Sequence, residues 1–501
     1  MGSSGRESEV PMPAVAIIGA GPSGLAAAKA MMEHGISPVI YDCADNLGGM
    51  WGGPSRGAWS SYARTNLSYF SCGFSDFPWP DGTEVFPKRY RVIEYLRAYA
   101  RAFGVNTQIQ YHTIVRSVDP IGPHKWRVTT QCGDSVEARV FDHVIVATGV
   151  FSKPHIPFFE GLDRYQGAVY HSADCYLDDL NRERMENKTV LVVGAAFSGT
   201  EIAGQALNYA ESVTVGFRNP MWFVPRWVQP WEGGPKYPSD LVFYSRSPDN
   251  PLTKGARKCL RHLGGDPGEI SPELAFDDID TAPLNVVTTD DFLPLVAQGK
   301  LKVKRSKAFA FDEKGALYSD GTRQDFDAVV FCTGYISSLP FLNPEVLQKL
   351  EFNPSDQLQP VILHRQVFHP EMPGLAFVGY YRGPYLPIME LQSRWIARVA
   401  SGDISPPSLE EMQSGLNIER EIRSRHPRPQ FPHGDYVGLA DGLAKAVGAF
   451  PEGDEVADMA SYIAEGPVIS AQYRLTGPHA KPDLARKMIK AAPAPLLDVA
   501  G

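Results

Sequence analysis

No C-x-x-C pair occurs among the six cysteines, Cys43, Cys72, Cys132, Cys175, Cys259 and Cys332. A zinc knuckle and a thioredoxin-like dithiol both need such a pair, so neither is indicated. Scattered thiols of this kind are expected to be reduced and mostly buried, in a cytoplasmic protein. A dense basic stripe is also missing. Lys and Arg number 48 against 57 Asp and Glu, a net charge of −9, which argues against nucleic acid as a partner. Long apolar runs are broken up. The most apolar stretch, 14–32, carries Pro22, Ser23, Lys29 and three glycines, so a strand, a turn and a helix fit it better than a membrane span. Residues 1–12 are polar and read as a flexible N-terminus without a signal-peptide core. Gly2 would suit myristoylation, but Arg6 stands where that pattern wants Ser or Thr.

What is present is a chain of 501 residues, 43% hydrophobic, with 42 Pro and 46 Gly. That is too long for one ordinary core, at roughly 100–200 residues per domain, and too rich in turns for a coiled coil. Val15-Ala-Ile-Ile18 is a short apolar run that stops at Gly19, as a buried parallel strand does. Residues 23–34 carry helix formers and end at Gly35, and 38–42 form a second strand. The pattern recurs with a strand at 189–193 ending at Gly194, a helix over 198–210 and a strand over 212–218. Two βαβ units predict an α/β protein with two Rossmann-like dinucleotide-binding domains.

Runs at 143–149 and 328–334 both finish in Thr-Gly, which suggests equivalent crossings between the domains. The first domain is therefore expected over 13–160 and 335–450, discontinuous, with the second, 161–334, inserted in it. Residues 451–501 read as a C-terminal extension with no legible chemistry. Alternating runs over 111–142, broken by Gly-Pro and Gly-Asp, predict an antiparallel meander. Residues 375–379 predict one more buried strand, followed by a helix from about Met389 to Ser401. The stretch 219–290 places Trp222, Phe223, Trp227, Trp231, Tyr237, Phe243 and Tyr244 among prolines and glycines. It reads either as a surface excursion with its own small cluster or as the wall of a pocket.

Gly19-Ala20-Gly21-Pro22-Ser23-Gly24 fits G-x-G-x-x-G between a strand and a helix. The first glycine allows the tight turn, the second lets the backbone approach a pyrophosphate, and the third lets helix and strand pack closely. The helix N-terminus offers N–H groups and a positive dipole end to the phosphate. Asp42, at the end of the second strand, is placed to accept hydrogen bonds from ribose hydroxyls. The second copy, Gly194-Ala-Ala-Phe-Ser-Gly199, departs at Ala196, which sets a methyl group near the phosphates. Its next strand ends in Arg218 rather than an acid, and a guanidinium attracts the 2′-phosphate that a carboxylate would repel. Acid in one unit and base in the other imply FAD and NADPH, with flavin and nicotinamide meeting at the domain interface.

Several motifs in order resemble the flavin-containing monooxygenases, of the class that keeps NADP⁺ bound through its cycle. They are Gly48-Gly49-Met50-Trp51, Thr65-Asn66-Leu67 followed by Phe74-Ser-Asp-Phe-Pro78, Ser198-Gly199-Thr200-Glu201 and Phe331-Cys332-Thr333-Gly334-Tyr335. The family fingerprint F-x-G-x-x-x-H-x-x-x-[YF] is similar to 165–175: Gly167 and His171 match, Tyr165 replaces Phe, and Cys175 takes the last position with Tyr176 one residue late. The resemblance covers roughly 14–450. It implies that NADPH reduces FAD, that dioxygen adds at flavin C4a to give a hydroperoxide, and that a soft nitrogen or sulfur of a small amine or sulfide takes the distal oxygen. No amino-acid nucleophile and no metal are needed.

Beside the first glycine loop, the resemblance implies cofactor contacts at Gly49, Met50, Trp51, Thr65, Asn66, Leu67, Val115, Thr148 and Gly149. On the nicotinamide side it implies Gly194, Ser198, Gly199, Thr200, Glu201, Thr333, Gly334 and Tyr335. Asn66 is the catalytic candidate, because the family's asparagine lies by the flavin and the bound NADP⁺, where an amide donates to the peroxide without protonating it. His171 is expected to hold the linker between the domains. The helix after Pro384 is expected to return its N-terminus toward the flavin pyrimidine. Two rivals stand: a Baeyer–Villiger monooxygenase acting on a ketone, whose fingerprint ends in Trp-Pro, and a non-oxygenating NADPH–flavin oxidoreductase. No membrane partner is expected, and the oligomeric state is open.

Overall fold

Val15-Ala-Ile-Ile18 forms β1 (Val15–Ile18), and all four residues are buried. A strand covered on both faces needs no polar alternation, which is why the run is apolar throughout. β1 opens the first of two parallel sheets in the computed structural model, which describes residues 12–52, 63–175, 178–247, 251–383 and 385–495. It pairs with β2 (Val39–Tyr41), which pairs with β3 (Ile109–Gln110), and on its other side with β4 (His143–Val146). The chain then leaves for a second sheet made of β5 (Ala168–His171), β6 (Thr189–Val193), β7 (Ser212–Phe217), β8 (Leu301–Arg305) and β9 (Ala328–Phe331), in the order β8-β7-β6-β9-β5. It returns with β10 (Leu375–Phe377), which completes the order β10-β4-β1-β2-β3.

These are two Rossmann-like units in an α/β fold, the second inserted in the first. In each, the chain moves one way from the strand before the glycine turn and later crosses to its other side. That reversal makes β1 and β6 the switch points, where ligands bind beyond the strand ends. α1 (Pro22–Glu33) follows β1, α2 (Phe197–Ala206) follows β6, and α3 (Leu386–Ala400) packs along α1. Between β3 and β4, Ile114–Gly122, Lys125–Cys132 and Ser135–Phe141 form the antiparallel meander expected from the Gly-Pro and Gly-Asp breaks.

The two Thr-Gly ends lead into extended linkers that pair with each other. Lys153–Pro154 runs antiparallel to Tyr335–Ile336. The Thr333 hydroxyl donates to the His155 carbonyl, and the His155 N–H donates to the Gly334 carbonyl at 3.0 Å. His171 adds a third tie. Its Nδ1 accepts from the Ala173 N–H at 3.1 Å, so the ring proton sits on Nε2, which donates to the Gly334 carbonyl at 2.9 Å. Burial lowers the His171 pKa, so the neutral ring this pattern needs is the favoured one.

Two expectations need correction. Cys72, Cys175 and Cys332 are buried, but Cys43 and Cys132 are exposed and Cys259 lies between, so only half of the thiols are buried. Cys43 sits just beyond β2, and Cys132 ends the central strand of the meander, next to the Gly133 turn. The 451–501 stretch also carries chemistry. Residues 466–476 are all buried, and Arg474 reaches Glu33 of α1, Asp76 and Glu390 of α3. Among the described residues, no helix is long and apolar enough to cross a membrane. Residues 1–11, Tyr176 and Pro384 lie outside the described residues.

Candidate functional site

A cavity of about 1140 Å³ runs from the β1 switch point to the flank of α2. Pockets for one drug-sized ligand span about 300–1,000 Å³, so this one has room beyond a single such ligand. Gly19, Gly21, Pro22 and Ser23 line its first end. α1 starts there without a side-chain cap, which leaves first-turn N–H groups for an anion. Ser23 Oγ donates to Met389 Sδ at 3.4 Å and ties this turn to α3. Asp42 is 3% exposed and borders the same end. Its Oδ2 accepts from the Ala20 N–H at 2.7 Å and its Oδ1 from the Ala44 N–H at 2.8 Å. The carboxylate thus holds the glycine turn in shape at the cavity's edge.

Gly49, Met50 and Trp51 continue the wall, followed by Thr65, Asn66 and Leu67, with Thr148 and Gly149 beyond the end of β4. Thr65 Oγ1 and Thr148 Oγ1 are buried without a protein partner. Buried hydroxyls are nearly always satisfied, so two orphans on one cavity mark a place for a polar ligand. The opposite wall comes from 219–290, and both readings of that stretch hold at once. Trp222, Val224, Val228, Tyr237, Val242, Leu260 and Ala282 pack as a cluster of their own. Arg226, Asp240, Phe243, Tyr244 and Asp290 face the cavity.

Arg226 donates through Nε to the Thr65 carbonyl at 3.0 Å, through Nη2 to Asn66 Oδ1 at 3.3 Å and through Nη1 to Asp290 at 3.0 Å. Asp240, 1% exposed, accepts from the Ser68 N–H at 3.0 Å and the Ser68 hydroxyl at 2.6 Å. Burial raises its pKa and those hydrogen bonds oppose the rise. Arg226, Asp240 and Asp290 were not legible in the sequence. Only the aromatic density of their segment drew attention to it.

α2 borders the cavity along its flank, through Phe197, Thr200, Glu201, Gly204 and Gln205, which recur at helical spacing. Gly194, Ser198 and Gly199 sit at the turn and do not border the cavity. Neither do Ala20 and Gly24 of the first loop. Arg218 is exposed just past β7. Val115 packs in the meander core with Val118 and Trp126. Thr333, Gly334 and Tyr335 belong to the paired linkers.

Burial pushes the Glu201 carboxyl up to about 7, with the Arg226 charge opposing. Its ordinary value is 4.5. A carboxyl raised on folding binds more protons in the folded state, so stability falls as pH rises from that ordinary value through the raised one. Glu201→Gln removes this loss. It is expected to gain up to about 3 kcal/mol over the parent protein between about pH 5 and about pH 8. Urea denaturation at both pH values checks this, and the same difference at both would exclude Glu201 as the titrating group.

The glycine turn at the first switch point and the flank of α2 at the second share one cavity, with an uncapped helix end and orphaned hydroxyls, an arrangement suited to holding two dinucleotides. The sequence matches the family described as Flavin-binding monooxygenase-like over residues 13–494. It is 33% identical over 507 residues to Flavin-containing monooxygenase 5 of Homo sapiens, spanning 95% of this chain and 91% of that protein. It is 32% identical to dimethylaniline monooxygenase (N-oxide-forming) 2 of Cavia porcellus, over 93% and 89% of the two chains. The fold is similar to that of S-allyl-L-cysteine S-oxygenase from Allium sativum, with TM-score 0.64, 22% identity and coverage of 96% and 99%. It is also similar to the open form of cyclohexanone monooxygenase, with TM-score 0.63, 18% identity and coverage of 91% and 99%. The chain belongs to the flavin-binding monooxygenase-like family, and it is an FAD- and NADPH-dependent monooxygenase.

Proposed function

We propose that the cavity holds FAD at its α1 end and NADPH toward the inserted unit. A soft nucleophilic nitrogen or sulfur of a small organic substrate is then oxygenated beside Asn66. The observation that supports this reading is the shared cavity, whose lining includes the first glycine loop, Asn66 and the flank of α2. When bound, the flavin supplies electron exchange with the nicotinamide and the activation of dioxygen. The chain supplies binding, orientation and a dry wall. The N-terminus of α1 holds a pyrophosphate, Asp42 a ribose, and the Thr65 and Thr148 hydroxyls a polar ring edge. Leu67, Leu96, Tyr381 and Leu386 keep water from the reacting end.

Arg218 is the proposed contact for the 2′-phosphate. A charge-assisted bond of this kind contributes about 1.5–3 kcal/mol. Arg218→Ala is therefore expected to raise KM for NADPH about tenfold or more while leaving KM for NADH nearly unchanged. Equal effects on both would remove Arg218 from the site.

The function is tested with NADPH and ¹⁸O₂, offering methyl p-tolyl sulfide, N,N-dimethylaniline and cyclohexanone side by side. One ¹⁸O atom in the sulfoxide or the N-oxide, with one NADPH used per product, is the expected result. Labelled lactone from cyclohexanone as the main product would replace the assignment with Baeyer–Villiger chemistry.

A further inference from the structure

The Asn66 amide enters the cavity with its oxygen already engaged. Arg226 Nη2 donates to Asn66 Oδ1 at 3.3 Å, and Arg226 Nε donates to the carbonyl of the preceding residue, Thr65, at 3.0 Å. A guanidinium carries five N–H donors and no acceptor. An Asn66 amide turned over would set its NH₂ against those donors and lose the bond. Donor chemistry alone therefore turns Oδ1 toward Arg226 and Nδ2 away from it.

Arg226 is itself fixed. Asp290 accepts from its Nη1 at 3.0 Å and from its backbone N–H at 2.9 Å, and the Arg226 carbonyl accepts from the Ser239 N–H at 2.9 Å. The planar fork spends separate N–H groups on Thr65, Asn66 and Asp290, which a lysine cannot reproduce with the same geometry. The contact also bridges the fold: Arg226 and Asp290 come from the inserted unit, and Asn66 from the first.

We infer that Arg226, clamped by Asp290, is a positioning residue that locks the Asn66 amide with its N–H groups toward the cavity, so that a donor and never a lone pair faces the oxygen being transferred. The inference rests on the reading of Asn66 as the group beside the reacting centre. Losing the clamp frees the amide to flip, and the donor is then present only part of the time. Substrate oxygenation gives way to loss of reducing equivalents as H₂O₂. No proton moves in this role, because an amide donates without titrating.

The experiment uses holoenzyme labelled selectively with [¹⁵N]asparagine. The Asn66 side-chain NH₂ signals are assigned by their disappearance in Asn66→Ala. They are expected to be sharp in the parent protein and shifted or broadened in Arg226→Met and in Asp290→Asn. In parallel, H₂O₂ released per NADPH consumed is measured with saturating methyl p-tolyl sulfide. Arg226→Met should raise it several-fold, about as far as Asn66→Ala, and the double variant should go no further than either alone. Unchanged amide signals in Arg226→Met, or additive uncoupling in the double variant, would overturn the inference. A normal product yield in Asn66→Ala would sink the reading of Asn66 itself, and the amide signals would still report whether the clamp exists. Should Arg226→Met fail to fold, Arg226→Lys and Asp290→Asn carry the same test, and parent-like behaviour in both overturns the lock.

Discussion

Gly24→Ala is expected to yield a chain that purifies with little or no flavin, whereas Gly199→Ala keeps its flavin and binds NADPH at least about tenfold more weakly. Both glycines are the third of their motif, and both lie where helix meets turn. A methyl group on Gly24 would overlap the carbonyl oxygen of Gly19, and one on Gly199 would overlap that of Gly194. In each case the obstacle is backbone, so no rotamer change relieves it. The turn must open, and with it the N-terminus that is to meet a pyrophosphate. The same single change therefore separates the two proposed cofactor sites. The visible-to-ultraviolet absorbance ratio of the purified variants and a titration with NADPH measure the two effects. Full flavin content in Gly24→Ala would show that the close packing is dispensable.

Arg474→Met is expected to lower stability by about 3–5 kcal/mol, the range for breaking a buried ion pair by removing one partner. Arg474 is fully buried and meets Glu33 at 3.3 Å, Glu390 at 3.1 Å and Asp76 at 3.6 Å, while its Nε donates to Ser75 Oγ at 2.8 Å. Lys29 completes the cluster, 2.6 Å from both Glu33 and Asp76. Burial alone would raise the Asp76 pKa, but Arg474 and Lys29 outweigh it and bring it down to about 2. Without Arg474 three buried carboxylates face fewer cations, and one of them must take up a proton or water must enter. Lys481, 3.3 Å from Asp76 but 42% exposed, provides the control. Its replacement by methionine should cost far less, because solvent screens that pair. Urea denaturation of the flavin-loaded protein measures both. A change below about 1 kcal/mol for Arg474→Met would mean that the cluster repacks or hydrates readily.

Much of the nucleotide-binding architecture could be read locally. Val15 to Asp42 holds a strand, a glycine turn, a helix and an acid within one βαβ unit, and each signal acts on its near neighbours. The same holds for the Gly194 unit and for the meander, where Gly-Pro and Gly-Asp break alternating runs. The motif Thr65-Asn66-Leu67 could be read too, but not the groups that hold it. Arg226 stands 160 positions from Asn66 in a stretch without a motif. Residues 466–476 showed nothing at all, because their importance lies in partners supplied by three other segments.

Short-range order along the chain determined the fold class, the two switch points and the kind of cofactor each unit suits, since strand, turn and cap energies depend on residues a few positions apart. Tertiary structure decided the rest: which wall faces Asn66, which arginine turns its amide, and why the C-terminal stretch belongs to the core. Arg474 and Glu33 lie 441 residues apart. No periodicity or propensity encodes a contact at that separation. It exists only because burying apolar surface brings the elements together, and the charges caught between them must then find one another.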